Sequence, residues 1–271
     1  DFLELLSNKN LFNKETVIIK NENIRYMQFK KLLDYKNIKH CFTLKPLDVG
    51  SNDTYKEIKD IANKNYNDIC NLLKLDSNNI VRPYQTHTNN VKKISGEVGI
   101  FPQELKDIDG LITQENNKIL TLTLADCTPI YLYDKQKNII GNIHSGWKGT
   151  VTVIVRKVTR HLIEDDGCDP HTIYAYVGPS IESRNFEAMD DIINRVKKMS
   201  FDTSSFYTKK DETHYLLNSK GLIKQQLLNC DVLEEHIEVS PYCTMENDDL
   251  FFSYRKTHTK NRNISIIRLK K

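Results

Sequence analysis

Two long runs of β-forming residues in the middle of the chain constrain its fold most. KILTLTLADC at 118–127 and PIYLYDKQKNIIGNIHSG at 129–146 are rich in β-branched and aromatic residues, and DKQKN at 134–138 is typical of a hairpin loop. The first run ends in Asp126 and Cys127, and the second ends beside His144. Buried strands are usually apolar, so side chains that bind metals at the ends of strands require an explanation.

The remaining segments predict a mixture of strands and helices around this β-rich centre. Helical spacing of apolar residues predicts helices within 54–75, 150–167, 189–199 and 219–230, with Gly167 at a helix end. Strands are predicted within 17–29, 40–44, 80–94, 110–113, 172–181 and 263–269. The order lacks a strict βαβ repeat, which indicates an α+β or mixed α/β fold with layered mixed sheets flanked by helices. No linker divides the chain, so we expect one domain over residues 1–271.

Charge and hydropathy exclude two classes of partner. Lys+Arg 39 against Asp+Glu 36 leaves a formal charge of +3, and the lysines are scattered, unlike the dense basic stripe that binds nucleic acid. No apolar run is long enough to span a bilayer, and DFLELLSNKNLFNKE at the N-terminus lacks the pattern of a secretory signal. We therefore expect neither nucleic acid nor a membrane as a partner, and a cytoplasmic location.

The six cysteines are widely spaced, which argues for thiols and against a disulfide scaffold. Cys41, Cys70, Cys168 and Cys230 are predicted to be small buried hydrophobic residues, because free cysteine is among the most buried residue types.

His87, Cys127 and His144 form a candidate metal-binding set. Two imidazoles and a thiolate suit a catalytic zinc, because three protein ligands leave one tetrahedral position for water or substrate. The three positions lie far apart in the chain and match no short metal motif. From spacing alone, the alternative is two hydrogen-bonded histidines at strand ends and a cysteine in the core.

Other polar residues near these positions have two possible roles each. Asp126 either holds a ligand imidazole from behind or caps the turn before Pro129. HSGWKGT at 144–150 either binds an anion through Gly146, Gly149 and Lys148 or forms a tight turn. Further candidates for substrate contact, each otherwise a solvated side chain, are Glu187, Arg255 and Arg262.

Taken together, several motifs strongly resemble the laccase-domain family, which was first called multicopper polyphenol oxidases and later purine nucleoside phosphorylases. The motifs are QTH at 85–87, DGLIT at 109–113, ADCTP at 125–129, HSGWKGT at 144–150, VGPSI at 177–181, and CT with FFSYR between 243 and 255. The resemblance covers about residue 40 to the C-terminus.

This resemblance implies that His87, Cys127 and His144 bind zinc, with copper as the alternative metal, in a layered fold shared distantly with cytotoxic-necrotising-factor toxins. It implies phosphorolysis of adenosine, inosine and methylthioadenosine, together with deamination of adenosine. Purine nucleosides and phosphate are then the partners, and a homodimer is the assembly that the resemblance suggests. Asp126, Cys243 and Arg255 are expected to be catalytic supporting groups, and the expected substrate contacts are Gly146, Lys148, Gly149, Glu187 and Arg262.

The chain departs from the family pattern where arginine is usual, since Lys45, Tyr66 and Lys148 occupy those positions, and Asp48 replaces an asparagine. Lysine cannot reproduce the bidentate arginine clamp on phosphate. Two other classes of function therefore stay open: a Cys127–His144 amidohydrolase acting on an amide or a cell-wall precursor, and a non-catalytic metal-binding protein. A multicopper laccase is disfavoured because the chain has only eight histidines, and no methionine lies in these motifs as an axial copper ligand.

Overall fold

Two six-stranded sheets lie at the centre of the computed structural model, which describes residues 15–270. The N-terminal stretch whose sequence lacks a secretory pattern lies almost entirely outside these residues. The strands are β1 (Thr16–Asn21), β2 (Ile24–Phe29), β3 (Ile38–Thr43), β4 (Ile80–Val81), β5 (Val91–Lys93), β6 (Gly110–Thr113), β7 (Ile119–Leu124), β8 (Thr128–Asp134), β9 (Ile139–Ser145), β10 (Ile173–Val177), β11 (Glu187–Met189), β12 (Tyr207–Lys209), β13 (His214–Leu217), β14 (Ile237–Val239) and β15 (Asn263–Leu269).

Helices cover the outer faces of these sheets. They are α1 (Lys30–Leu33), α2 (Lys59–Leu72), α3 (Trp147–Val151), α4 (Ile154–Glu164), α5 (Asp190–Lys197), α6 (Ser219–Leu228) and α7 (Tyr254–Thr257). Within the described residues, no helix is both long and apolar enough to cross a bilayer.

The first sheet has the strand order β1-β2-β3-β15-β7-β4, and the second has β14-β10-β8-β9-β6-β5. Most neighbouring strands are antiparallel, but β4 with β7, β5 with β6 and β10 with β14 are parallel. A third sheet contains β11, β13 and β12. The predicted mixed layered α+β fold is therefore confirmed.

Alternation of side chains along the central strands produces the layers. In β8, Tyr131 and Tyr133 point into the apolar core between the two large sheets, whereas Ile130 and Leu132 pack under α4 and α6. In β15, Ile264 and Ile266 pack under α2 in the same way. Both faces of the central strands are thus buried, which explains their nearly continuous apolar character.

Most predicted elements are present, and the hairpin at 129–146 is confirmed by the antiparallel pairing of β8 with β9. Cys41, Cys70, Cys168 and Cys230 are buried, as expected.

Two predictions of secondary structure are only partly confirmed. Most of the strand expected over 80–94 is a loop between the short strands β4 and β5. The helix expected over 150–167 is interrupted by Val153, which has a left-handed φ of 58° between α3 and α4. The cluster of β-branched residues at 150–153 has low helix propensity, which favours a break at this point.

Candidate metal centre and active site

The side chains of His87, Cys127 and His144 converge at one end of the second large sheet. Their potential ligand atoms, imidazole nitrogens and one sulfur, all lie within 4.8 Å of one another. The two imidazole rings meet edge to face with their centroids 4.9 Å apart. Three residues that are distant in the sequence therefore form one cluster of donor atoms.

The register of three strands explains why two of these residues meet. The β8–β9 pairing sets Pro129 opposite His144 and Thr128 opposite Ser145, so Cys127 follows on beside the end of β9. The β6–β9 pairing sets Gly110 opposite Ile143, so Asp109 lies next to His144. The backbone N–H of His144 also donates to the carbonyl of Asp109 at 2.8 Å.

His87 reaches the cluster from the loop between β4 and β5. The side-chain amide of Gln85 forms two hydrogen bonds with the backbone of Thr123 in β7, at 2.9 and 3.0 Å, and so fixes the start of this turn. His87 itself has a φ of 64°, a left-handed conformation that is uncommon for residues other than glycine. Such backbone geometry is often found at functional sites.

The carboxylate of Asp109 binds the imidazole of His144 and the backbone of His87. Its Oδ1 lies 2.7 Å from Nδ1 of His144 and accepts a hydrogen bond from the backbone N–H of His87 at 3.1 Å. Its Oδ2 accepts from the backbone N–H and the hydroxyl of Thr88, at 2.8 and 2.7 Å. With Nδ1 of His144 donating, Nε2 is left as the metal-binding nitrogen.

Asp109 was not singled out in the sequence, although it begins the DGLIT motif. The carboxylate considered for this role, Asp126, instead accepts hydrogen bonds from the Thr244 hydroxyl at 2.7 Å and the Arg255 backbone N–H at 2.6 Å. Asp126 has a φ of 86° and connects the end of β7 to the 244–255 loop. The sequence signals for Asp109 were its place at the start of the DGLIT motif and directly before a short strand.

Gly146 allows the ligands to approach the start of α3. A Cβ atom at this position would lie 2.8 Å from Cδ2 of His87 and 3.1 Å from Sγ of Cys127. Its φ of −75° is accessible to any residue. Close packing against the ligands therefore explains the glycine, and the backbone conformation does not. Gly149 is similarly crowded, because a Cβ there would lie 3.2 Å from the carbonyl of Thr88.

Electrostatic coupling in the metal-free cluster favours a thiolate and an imidazolium. Burial opposes the charge on Cys127, but the His144 and His87 side chains outweigh it and lower the pKa of Cys127 to about 6. Burial likewise opposes the charge on His144, yet the Cys127 thiolate and the Asp109 carboxylate raise the pKa of His144 to about 10. Burial would also raise the pKa of Asp109, but hydrogen bonds from His144 and Thr88 lower it.

The cluster lies in a cavity of about 630 Å³, a size typical of small-molecule sites. Among its walls are the aromatic side chains of Trp147, Phe186 and Tyr254 and the guanidinium groups of Arg255 and Arg262. The cavity therefore combines a candidate metal-binding site, apolar surface and positive charge.

The two arginines differ in their surroundings. Arg262 is held by hydrogen bonds from Nη1 to the carbonyls of Thr259 and Asn261, both at 2.9 Å. Burial lowers the pKa of Arg262, and the nearby Cys127 thiolate partly opposes that effect. Arg255 lies over the ring of Phe186, 5.5 Å from its centroid, and donates weakly to the Glu187 carbonyl.

The structure brings some of the expected site residues into the cavity and leaves others outside its lining. Those that line it, besides the three candidate ligands, are Asp126, Gly146, Arg255 and Arg262. Lys148 is exposed, with its ammonium 5.7 Å from the centroid of the Trp147 ring, and the Glu187 carboxylate pairs with Lys210. Gly149 and Cys243 are buried behind the wall, where Cys243 Sγ accepts from the Glu182 backbone N–H at 3.4 Å.

The positions where arginine is missing also lie away from the cavity lining. Lys45 donates to the carbonyl of Asp248 at 2.7 Å, and the Tyr66 hydroxyl accepts from the buried guanidinium of Arg82 at 3.2 Å. Asp48, by contrast, contacts one of the two cavity arginines, because its Oδ1 accepts from the Arg262 backbone N–H at 2.8 Å.

Known proteins resemble this chain over most of its length. The family model described as multi-copper polyphenol oxidoreductase laccase matches residues 46–270. A protein named purine nucleoside phosphorylase YlmD from Bacillus subtilis is 31% identical over 230 residues, covering 83% of this chain and 82% of that protein. A purine nucleoside phosphorylase from Staphylococcus aureus is 32% identical over 188 residues, covering 68% of this chain and 70% of that protein.

Solved structures show the same fold. The hypothetical protein YfiH from Bacillus licheniformis matches with a TM-score of 0.84 at 26% identity, over 93% of this chain and 99% of the other. YlmD from Geobacillus stearothermophilus matches with a TM-score of 0.82 at 20% identity, over 94% and 99% of the two chains. With its family model spanning residues 46–270, the chain belongs to the multi-copper polyphenol oxidoreductase laccase family.

Proposed function

We propose that this protein is a zinc-dependent enzyme that acts on purine nucleosides. In the presence of phosphate it cleaves adenosine, inosine or methylthioadenosine to the free base and the ribose 1-phosphate, and it also hydrolyses the 6-amino group of adenosine. The observation that carries the proposal is the cluster of two imidazoles and one thiol in the lining of the cavity. The relatives named purine nucleoside phosphorylases support the substrate class.

The donor set fits a catalytic zinc site. His87, Cys127 and His144 supply two nitrogens and one sulfur, and the Asp109 carboxylate orients an imidazole as is usual for metal-bound histidine. Copper is the alternative metal for the same donors. When bound, the metal supplies a Lewis acid for negative charge that develops on the substrate.

The residues around the cluster provide the other requirements of the proposed reactions. The guanidinium of Arg262 is a partly buried positive charge in the cavity that suits phosphate. Trp147, Phe186 and Tyr254 offer flat apolar surface for the purine ring. We propose that Asp126 orients Arg255, whose backbone N–H it binds, and that Cys243 supports the wall from behind.

An activity assay on metal-defined protein tests the proposal. Protein loaded with one equivalent of zinc should release free base from adenosine and inosine only when phosphate is present, and should convert adenosine to inosine without it. Cys127→Ser and His144→Ala should each abolish both activities, because each removes a metal ligand. Lys148→Ala is the matched control and should retain activity, because its ammonium lies outside the cavity lining. Zinc-loaded protein that releases neither base nor inosine would contradict the proposal.

One observation favours a second candidate function. The Cys127 sulfur lies within 4.8 Å of imidazole nitrogens of His144 and His87, which lower the pKa of Cys127 to about 6, as a thiol nucleophile requires. As a cysteine amidohydrolase, the protein would cleave an amide at the same rate with and without a chelator. As the proposed zinc enzyme, it would lose turnover on chelation and regain it with zinc.

A further inference from the structure

A buried lysine lies behind the lining of the cavity and takes no part in the candidate metal site. Lys220, in the first turn of α6, is only 4% exposed. Its ammonium donates to the Glu182 carboxylate, to the Ser240 carbonyl at 2.8 Å and to the Tyr242 carbonyl at 2.9 Å. All three N–H groups are therefore used.

The partners of Lys220 belong to two separate loops, one of which lines the cavity. Glu182 lies in the segment 181–186, here called the cavity wall, whose two ends, Ile181 and Phe186, line the cavity. The Ser240 and Tyr242 carbonyls belong to the loop that follows β14. One ammonium group thus joins the cavity wall to this second loop from the buried side. The Arg184–Glu246 ion pair and the bond from the Glu182 N–H to Cys243 Sγ join the same two segments elsewhere.

Other bonds connect the cavity wall to the metal centre. The backbone N–H of Ile181 donates to the carbonyl of Asp126, next to the candidate ligand Cys127, at 3.1 Å. The N–H of Phe186 donates to the carbonyl of Glu182 at 2.9 Å, so the position of Glu182 also sets that of the Phe186 ring. A displacement at Glu182 would therefore reach both ends of the cavity wall.

A buried ion pair is a poor source of stability, because removing both charges from water costs about as much as their attraction returns. Apolar side chains could fill the same space. Burial lowers the pKa of Lys220, and the Glu182 carboxylate opposes that effect, which shows the cost of keeping the charge here. The ammonium instead fixes the relative position of the two loops, because its three N–H groups bind three acceptors, one from the cavity wall and two from the second loop.

We propose that Lys220 is a positioning residue that fixes the cavity wall against which the nucleoside packs, and so controls substrate affinity. The part of this inference that concerns the nucleoside rests on the proposed function. Lys220 does not line the cavity, so its effect passes through Glu182 and Phe186.

The test compares zinc-loaded wild type with variants at Lys220 and Glu182. Lys220→Met removes all three bonds, and Glu182→Gln is a milder variant that removes the ion pair and leaves both carbonyl bonds. Lys224→Met is the matched control, because Lys224 lies about one turn along the same helix and binds Glu234 at the surface. Leu227→Ala controls for loss of stability alone, because Leu227 lies on the buried face of α6 and packs in the apolar core.

Hydrogen–deuterium exchange and steady-state kinetics are the readouts. Loss of a hydrogen bond to a charged group corresponds to roughly a 10-fold to 100-fold change in an equilibrium. We therefore expect Lys220→Met to speed amide exchange in the cavity wall by about 10-fold or more and to raise the KM for the nucleoside by at least about 10-fold. The kcat should change less than about 3-fold and the zinc content should not change, because the metal ligands are not touched. Glu182→Gln should show the same pattern to a smaller extent.

Two results would overturn the inference. One is unchanged exchange in the cavity wall and unchanged KM in both variants. The other is an equal rise in KM in Leu227→Ala at an equal loss of melting temperature. If the wild-type protein turns over no purine nucleoside, the proposed function fails, and exchange in the cavity wall still tests the role of Lys220 in positioning. If Lys220→Met does not fold, Glu182→Gln decides.

Discussion

Replacing Asp109 with asparagine removes the charge that binds the imidazole of His144 and the backbone N–H of His87. The carboxylate accepts from His144 and His87 through one oxygen and from Thr88 through the other. An asparagine has one carbonyl oxygen, so its NH2 group must face one of these two sets of donors. At least one charge-assisted hydrogen bond is lost, which is worth about 1.5–3 kcal/mol.

That loss predicts a weakening of zinc binding by about 10-fold to 100-fold, the range usual when a group that hydrogen-bonds to a metal ligand is removed. The assay is competition for zinc against a chromogenic chelator of known affinity, with circular dichroism to confirm folding. Asp107→Asn is the matched control, because Asp107 lies in the same region and its carboxylate binds only the exposed Thr86 hydroxyl among the hydrogen bonds described. An Asp109→Asn protein that binds zinc within about 3-fold of wild type would refute this reasoning.

Three further perturbations have definite expected outcomes. Gly146→Ala should lower zinc occupancy and turnover together, as measured by elemental analysis and kinetics, because the new methyl would lie 2.8 Å from one ligand imidazole and 3.1 Å from the ligand sulfur. Arg262→Lys should raise the KM for phosphate by about 10-fold in a phosphorolysis assay, since lysine lacks the bidentate fork, whereas Lys148→Ala should leave it unchanged. His40 is buried, its Nε2 accepts from the Phe29 N–H at 2.8 Å, and burial lowers its pKa to about 3. Because the unfolded histidine (pKa about 6.5) takes up a proton first, the stability that neutral His40 contributes is present above pH 6.5 and is lost as the pH falls towards 3. Urea unfolding should therefore show wild type losing about 2 kcal/mol more than His40→Gln between pH 7.5 and pH 5, and equal losses would contradict the assignment.

The sequence predicted the centre of the fold well because its strands are buried on both faces. The central strands β7, β8 and β9 have every residue buried, so their apolar runs were unmistakable. The short strands β11, β12 and β13 have three or four residues each and are partly exposed, so no pattern could distinguish them from loops. The β-branched run at 150–153 favours the break at Val153, but the apolar residues of 150–167 also fit helical spacing, so the position of the break was not predicted.

Part of the candidate site was also accessible from the sequence. The three proposed ligands were identified by residue type and by resemblance, and the structure brings their donor atoms together. The role of Asp109 was missed because it depends on the register between β6 and β9, which sets its carboxylate against His144. The buried Lys220 was missed because nothing in a helical segment of mixed polarity marks one lysine as internal.

X-ray absorption spectroscopy of the zinc-loaded protein tests the central claim most directly. Coordination by His87, Cys127 and His144 predicts one zinc per chain, with one sulfur at about 2.3 Å and two nitrogens at about 2.0–2.1 Å. The remaining position should hold a light atom, and the sulfur signal should disappear in Cys127→Ser. A zinc shell without sulfur in the wild-type protein, or one unchanged in Cys127→Ser, would contradict the account.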